Sequence, residues 1–386
     1  MATTTATSPR PPLWRDVRVL RVAFQVAVLA AVVAFVSYLY DNLRANNVDF
    51  DFDFLDQQAG FRIAYTDLKP SDTVLDAILT GLRNTINVAL IGIVGTLVLG
   101  TLLGIARLSR NWLVRRAAGA YVETLRNVPP LLVIVFVNSA ALATLPPIQE
   151  ANEIGGVLVL SVSEFGIVSL RDDGNGGLYL ALLVAALAAA VALGAWRGRV
   201  EERTGAPARR WTWGGGLFLA VAVGGHAALS APIGLSHPEV AGLSIEGGIR
   251  MGLPFVAVLV GLVLYTSSHV AEIVRGSILA VPKGQTEAAG AIGLSSGQRL
   301  RHVVLPQAFR IATPPIINQF LNLTKNTSLG VAVAFAELMG VTSTVIGNGD
   351  PAIPSILVAM GLYLVLSVAI SLVANVAHHR LRLVER

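Results

Sequence analysis

The chain has 386 residues, 54% of them hydrophobic and only 14% charged, with a mean hydropathy of +0.65. A soluble domain carries about a quarter charged residues, so this composition excludes a water-coated globule and makes the bilayer the main solvent. The formal net charge of +5 says little alone, because in a membrane protein the placement of charge matters more than its sum.

In chain order, residues 1–12 are rich in Thr, Pro and Ala, and residues 1–18 read as a disordered cytoplasmic N-terminus. The apolar run after them is too long for a signal-peptide core and reads as a retained anchor at about 19–40. An outer, periplasmic loop fills 41–80. Further spans of about 20 apolar residues fall at about 86–106, 124–145, 178–196, 214–234, 252–274, 312–338 and 354–377. The expected fold is therefore an all-α polytopic membrane protein with about eight transmembrane helices.

Lys and Arg set the orientation. With a cytoplasmic N-terminus, 23 of the 29 basic residues fall on the cytoplasmic side or at span ends facing it. Only Arg44, Arg62, Lys69, Arg83, Arg171 and Arg250 fall outside. The first outer loop is acidic instead, with Asp49, Asp51, Asp53 and Asp56. Both termini are then cytoplasmic, which needs an even number of spans. Trp211 and Trp213 stand where a span meets the interface, as belt aromatics do.

The long connection at 281–310 reads as helix, turn, helix on the cytoplasmic side. Pro282 suits a first turn. Glu287, Ala288 and Ala289 favour helix near an N-terminus. Gly293 takes the left-handed conformation that ends it, Ser295 and Gln298 form a capping box, and Pro306 interrupts before the next span. Small residues on short helices allow close approach, which a docking surface needs.

Three further segments are distinctive: Tyr121-Val-Glu-Thr-Leu-Arg126-Asn-Val-Pro-Pro130, Ala271-Glu272-Ile-Val-Arg275-Gly276 and Lys325-Asn-Thr-Ser-Leu329. With Glu287-Ala288-Ala289, Gly293, Val303, Leu305 and Pro306 they resemble the permease subunits of ABC importers, in the polar amino-acid uptake branch. The 281–310 segment resembles that family's EAA loop, with Val303 where Ile is usual; Asn326 stands where Asp is usual. The resemblance covers 81–145 and 250–380 and implies a five-helix type I importer core. The anchor at 19–40 and an insertion at 146–249 with two extra spans look like the longer general L-amino-acid permeases, the Aap/Bzt type.

The resemblance implies that Glu287, Ala288, Ala289, Gly293, Leu305 and Pro306 couple to a separate cytoplasmic ABC ATPase subunit, which holds ATP and Mg. It implies a second permease subunit, or a second copy of this chain, and a periplasmic amino-acid-binding protein. L-amino acids would be the cargo, at the inner membrane and among its lipids, with no nucleic acid as a partner. From the residues themselves, no Gly-x-x-x-x-Gly-Lys-Ser/Thr phosphate loop occurs, so this chain is not expected to hydrolyse ATP. There is no cysteine, and no His/Asp/Glu spacing suggests a metal site; neither a metal nor a cofactor is expected on this chain.

Polar residues inside spans are costly and are paired or functional. Asn318, Asn322 and Lys325 lie at i, i+4 and i+7 on one helix face. They line part of the path or its gate, together with Thr327 and Ser328, or they bond neighbouring helices near Pro314 and Pro315. Arg126 either pairs with Glu272 as an inner gate or reaches the headgroups. A rival reading, a secondary transporter on an ion gradient, requires inverted repeats and midplane carboxylates; no clear repeat and few such acids are seen.

Overall fold

The computed structural model describes residues 17–45, 51–172, 174–205, 209–229 and 233–381. The expectation of disorder at 1–18 and the basic residues Arg10, Arg15, Arg382 and Arg386 fall wholly or mainly outside them.

Twelve α-helices are described: α1 Val17–Ala45, α2 Val74–Ala106, α3 Trp112–Arg126, α4 Pro130–Phe136, α5 Gly176–Thr204, α6 Arg210–Ala228, α7 Leu253–Leu279, α8 Lys283–Ala291, α9 Ser296–Arg299, α10 Leu305–Asn326, α11 Leu338–Gly347 and α12 Ala352–Leu381. Each expected span overlaps one or more of them. Five helices are long and apolar enough to cross a membrane: Val19–Ala45, Val74–Ala106, Gly176–Glu201, Leu253–Leu279 and Ala352–Val376. Two bent pairs raise the number to seven if each pair is one span: Trp112–Arg126 with Pro130–Leu142, bent by 108°, and Ser296–Val333 with Leu338–Gly347, bent by 43°. The expected eight are not reached, because α6 is not among these. Its 19 residues include Gly214, Gly215 and Gly216, which dilute its apolar character.

The all-α expectation needs correction. Among the described residues, the segment expected as an insertion and its downstream edge carry eight short strands around α5 and α6. They are β1 Asn152–Ile154, β2 Leu158–Leu160, β3 Glu164–Ile167, β4 Ser169–Asp172, β5 Ile233–Ser236, β6 Glu239–Ala241, β7 Ser244–Glu246 and β8 Ile249–Gly252. An antiparallel sheet runs β1-β2-β3-β8, and β4-β5 and β6-β7 pair separately. Val159, Ile245 and Ile148 form a small core under the sheet. Strands of three or four residues give too short a hydrophobic alternation to stand out in sequence.

The bundle is organised on α2 and α7, which run parallel and in close contact. An added Cβ at Gly100 would lie 2.7 Å from Val270 Cβ, and one at Gly104 2.7 Å from the Ala271 carbonyl oxygen. Farther toward the N-terminus of α2, Gly92 meets Leu323 on α10 and Gly81 meets Val341 on α11. Gly92, Thr96, Gly100 and Gly104 recur every four residues, so small side chains line one face and let backbones meet. At 33 residues α2 is about 50 Å long, well beyond the ~30 Å of hydrocarbon. Its first turn is closed by a Thr73–Asp76 capping box. There the loop at 51–73 packs Phe54, Ile63 and Leu68 against α2, α11 and α12.

α1 and the α5–α6 pair lie apart from this bundle. None of the apolar window of α1 is buried. α5 and α6 hold each other through the Tyr179 hydroxyl, which donates to the Ala222 carbonyl at 2.8 Å, and through the Gly214–Ala190 approach.

Replacing Gly100 by Leu is expected to destabilise the purified protein by about 1–3 kcal/mol or more through overpacking. Gly119→Leu, where nothing lies within 4 Å of an added Cβ, is expected to be tolerated. Thermal unfolding in detergent, followed by size-exclusion fluorescence, would separate the two.

Candidate functional site

The segment after α7 folds as its residues dictate. Val281 is buried and Pro282 stands immediately before α8, one place earlier than a first-turn position. Gly293 has φ +85°, and its N–H donates to the Gly290 carbonyl at 3.0 Å while that of Leu294 reaches Ala289 at 3.1 Å. These bonds close the helix as a left-handed cap does. The Ser295–Gln298 capping box starts α9.

Pro306 does not break the second helix as expected. α9 passes into a π turn at Leu300–Val304 and then into α10, with Pro306 in the first turn of α10. Proline lacks an N–H and crowds the carbonyl four residues back; the wider π turn takes up that misfit.

The segment has a buried side and an open side. Ala289 is buried, while Glu287, Ala288, Gly293, Leu305 and Pro306 are exposed. Ile292 is 78% exposed and Phe309 57%. That is costly for large apolar groups unless something covers them. Gln307 on α10 donates to Gln285 on α8 at 3.4 Å, holding the two helices together.

Close to this segment, the ends of α2, α3 and α7 meet around one carboxylate. Glu272 on α7 accepts from the Nη1 of Arg107, which caps α2, and from Arg275. Arg126, at the end of α3, comes only to 4.0 Å. The pair read from sequence, Arg126–Glu272, is thus adjacent but outside hydrogen-bond distance; Arg107 and Arg275 hold the carboxylate. Arg107 also lies 3.8 Å from Glu123. Tyr121 completes the joint, its hydroxyl within 3.0 Å of both the Leu264 carbonyl and Ser267 Oγ. The Tyr121–Arg126 segment is therefore the surface through which α3 grips α7. Arg107 was not singled out in sequence because it ends a span like any interfacial arginine.

Asn318, Asn322 and Lys325 do share a face of α10, and that face is exposed. No hydrogen bond or ion pair of these three side chains exists among the described residues. The stripe faces out of the chain rather than into its own bundle. Thr327 is buried and donates to the Thr324 carbonyl at 2.8 Å; Ser328 donates to that of Lys325 at 2.8 Å.

One buried acid escaped the sequence reading. Glu337 has no exposed surface. It caps α11 by accepting from the Gly340 N–H at 2.8 Å, and also accepts from the hydroxyls of Tyr363 and Thr85. Asn84 donates to the neighbouring Ala336 carbonyl at 2.8 Å. α2, α11 and α12 are tied at this point. The one available signal was an acid inside an otherwise apolar run, Ala334-Phe335-Ala336-Glu337-Leu338.

Among the described residues no group of His, Cys, Asp and Glu could hold a metal ion. Long apolar helices and a helical joint at the Arg-rich end define a membrane-embedded protein. The chain belongs to the family described as binding-protein-dependent transport system inner membrane component, which matches residues 96–383. It is 34% identical to the general L-amino acid transport system permease protein AapQ of Rhizobium johnstonii over 96% of this chain and 94% of that one. It is 34% identical to the glutamate/glutamine/aspartate/asparagine transport system permease protein BztB of Rhodobacter capsulatus over 96% of each. It is also 34% identical to the putative amino-acid ABC transporter permease protein YhdX of Escherichia coli over 94% of each. The chain is thus an integral inner-membrane protein of the permease family, and the ion-gradient alternative finds no support.

Replacing Arg107 by Met is expected to cost about 1–3 kcal/mol, because it strips a partly buried charged hydrogen bond from Glu272. Arg126→Met is expected to cost under about 1 kcal/mol, as for an exposed pair. Comparing the melting temperatures of the two variants in detergent tests this order.

Proposed function

We propose that the chain is the permease subunit of an importer that carries L-amino acids into the cytoplasm, powered by ATP hydrolysed on a separate subunit. The observation that carries the coupling role is the exposed face of α8–α9, with Ile292 78% exposed and Gly293 in a left-handed cap. An ATPase subunit, with its ATP and Mg, grips Glu287, Ala288, Ala289, Gly293, Leu305 and Pro306. It moves the joint between its open and closed states. Coupling requires that the joint bind those states with different affinity.

In this reading α2–α4 and α7–α12 form a core of the type I importer kind, and 146–249 is an insertion. Both termini face the cytoplasm, which requires the 19-residue α6 to cross the membrane as the eighth span. A periplasmic binding protein delivers the amino acid. The exposed stripe Asn318–Asn322–Lys325 faces a second permease subunit across the path, since an unpartnered polar face is costly against lipid. Arg126 and Glu272, with Thr327 and Ser328 near the stripe, belong to the gate.

Replacing Gly293 by Val is expected to abolish ATP-dependent uptake and co-purification of the ATPase, at unchanged membrane expression. A β-branched residue cannot readily take a φ of +85°. Undiminished uptake would remove the coupling role. In a second measurement, Ile292→Cys in this cysteine-free chain should react with an impermeant thiol reagent only from the cytoplasmic side. Labelling from outside would overturn the orientation and the coupling role with it.

A further inference from the structure

Three of the six basic residues that the charge distribution leaves on the outer side surround one opening. A cavity of about 570 Å³ is lined by Arg62, Arg250, Asn84 and Asn87. An adjoining one of about 450 Å³ is lined by Arg83, Arg250, Asp67 and Glu164. The two share Ala64, Tyr65, Thr66 and Arg250. The walls come from the first outer loop, the outer half of α2, the inserted strand β8 and the break before α11. The size is that of a small-molecule pocket, within roughly 300–1,000 Å³.

The charges are placed to meet an anion. Arg250 spends one contact on the Ile245 carbonyl, at 3.3 Å, and Glu164 accepts the Ile245 N–H at 3.0 Å. Arg62 and Arg83 make no hydrogen bond or ion pair among the described residues. Three arginines thus face two carboxylates, and Arg83 also borders an adjoining cavity lined by Asp67, Asp72 and Asp76. Deeper in, Asn84 and Asn87 lie one turn apart on α2, and Asn87 has no hydrogen-bond partner among the described residues.

Backbone strain gathers at the same place. Of the three non-glycine residues with positive φ among those described, Tyr65 at 61° and Ala334 at 57° both line the larger cavity. Such conformations persist where the surroundings enforce them, and they cluster at ligand sites.

We propose that this mouth is an admission site for the α-carboxylate of an amino acid, with Arg83 and Arg250 as its anion contacts. The proposal rests on the importer reading above. It assigns a recognition role to the first outer loop and the inserted sheet, so cargo handed over at the outer face meets cations before it reaches α2. A concave site of this volume suits a small molecule.

The test uses Ala64→Cys, since Ala64 lines both cavities and the chain has no cysteine of its own. The assembled transporter in detergent is labelled with a maleimide. L-glutamine is expected to slow labelling, and 4-aminobutanamide, the same molecule without its α-carboxylate, is not. Arg250→Gln or Arg83→Gln should raise the L-glutamine concentration needed about tenfold, the loss of one charge-assisted hydrogen bond. Arg250→Lys should keep part of the effect, and Lys69→Gln, away from both cavities, all of it. Equal labelling with and without L-glutamine would overturn the proposal, as would equal protection by the amine. Protection by the unloaded binding protein alone, with none by L-glutamine, would overturn it in favour of a protein-docking surface. ATP-driven uptake by the same variant separates the two readings. Uptake without protection sinks only the admission site, and absence of uptake in the unaltered transporter sinks the importer reading.

Discussion

The close approach of α2 and α7 is the contact on which the rest of the bundle depends. Neither helix could come so near its neighbour with ordinary side chains at Gly100 and Gly104. In lipid there is no hydrophobic drive between apolar helices, so packing of this kind must supply the association. The contact has a second effect at the far end of both helices. It brings Arg107, at the end of α2, against Glu272 on α7. A charged joint in a poorly solvated place is stable only when its members are held in geometry, and the glycine face provides that.

The end of the bundle at the start of α2 is fixed by different chemistry. Glu337 is wholly buried and bound by Tyr363, Thr85 and the Gly340 N–H. Because the break before α11 leaves backbone groups without helical partners, something must satisfy them. Thr85 donates to Glu337 and accepts from the Leu338 N–H at 3.1 Å, and Asn84 covers the Ala336 carbonyl. α2 therefore serves two ends by two means, small residues toward one and hydrogen-bonding residues toward the other.

Much of the bundle was legible in sequence because lipid demands long apolar runs and confines arginine. The turn at Gly293 and the Ser295–Gln298 cap were legible for a similar reason: each demands a narrow choice of residue. What escaped depends on partners distant in sequence. The strands of the inserted region are three or four residues long and pair across α5 and α6, as β3 does with β8. Arg107 and Glu272 are 165 residues apart, and Glu337 meets Thr85 across 252. Nothing local marks Arg107 as a partner of Glu272 or Glu337 as the centre of a network, whereas Arg275, three residues from Glu272 on the same helix, does pair with it. Pro306 was read as a stop, although a π turn lets the helix continue through it.

That π turn has a consequence for how force would travel. A π turn carries about one residue more than an α turn. If the extra residue is passed along the helix, the stretch it crosses rotates by about 100° and shifts by about 1.5 Å, the step of one residue in an α-helix. Leu300–Val304 lies between the joint and the polar stripe of α10. A short axial push at one end can therefore arrive at the other as a screw motion, turning Asn318 and Asn322 toward or away from whatever they face.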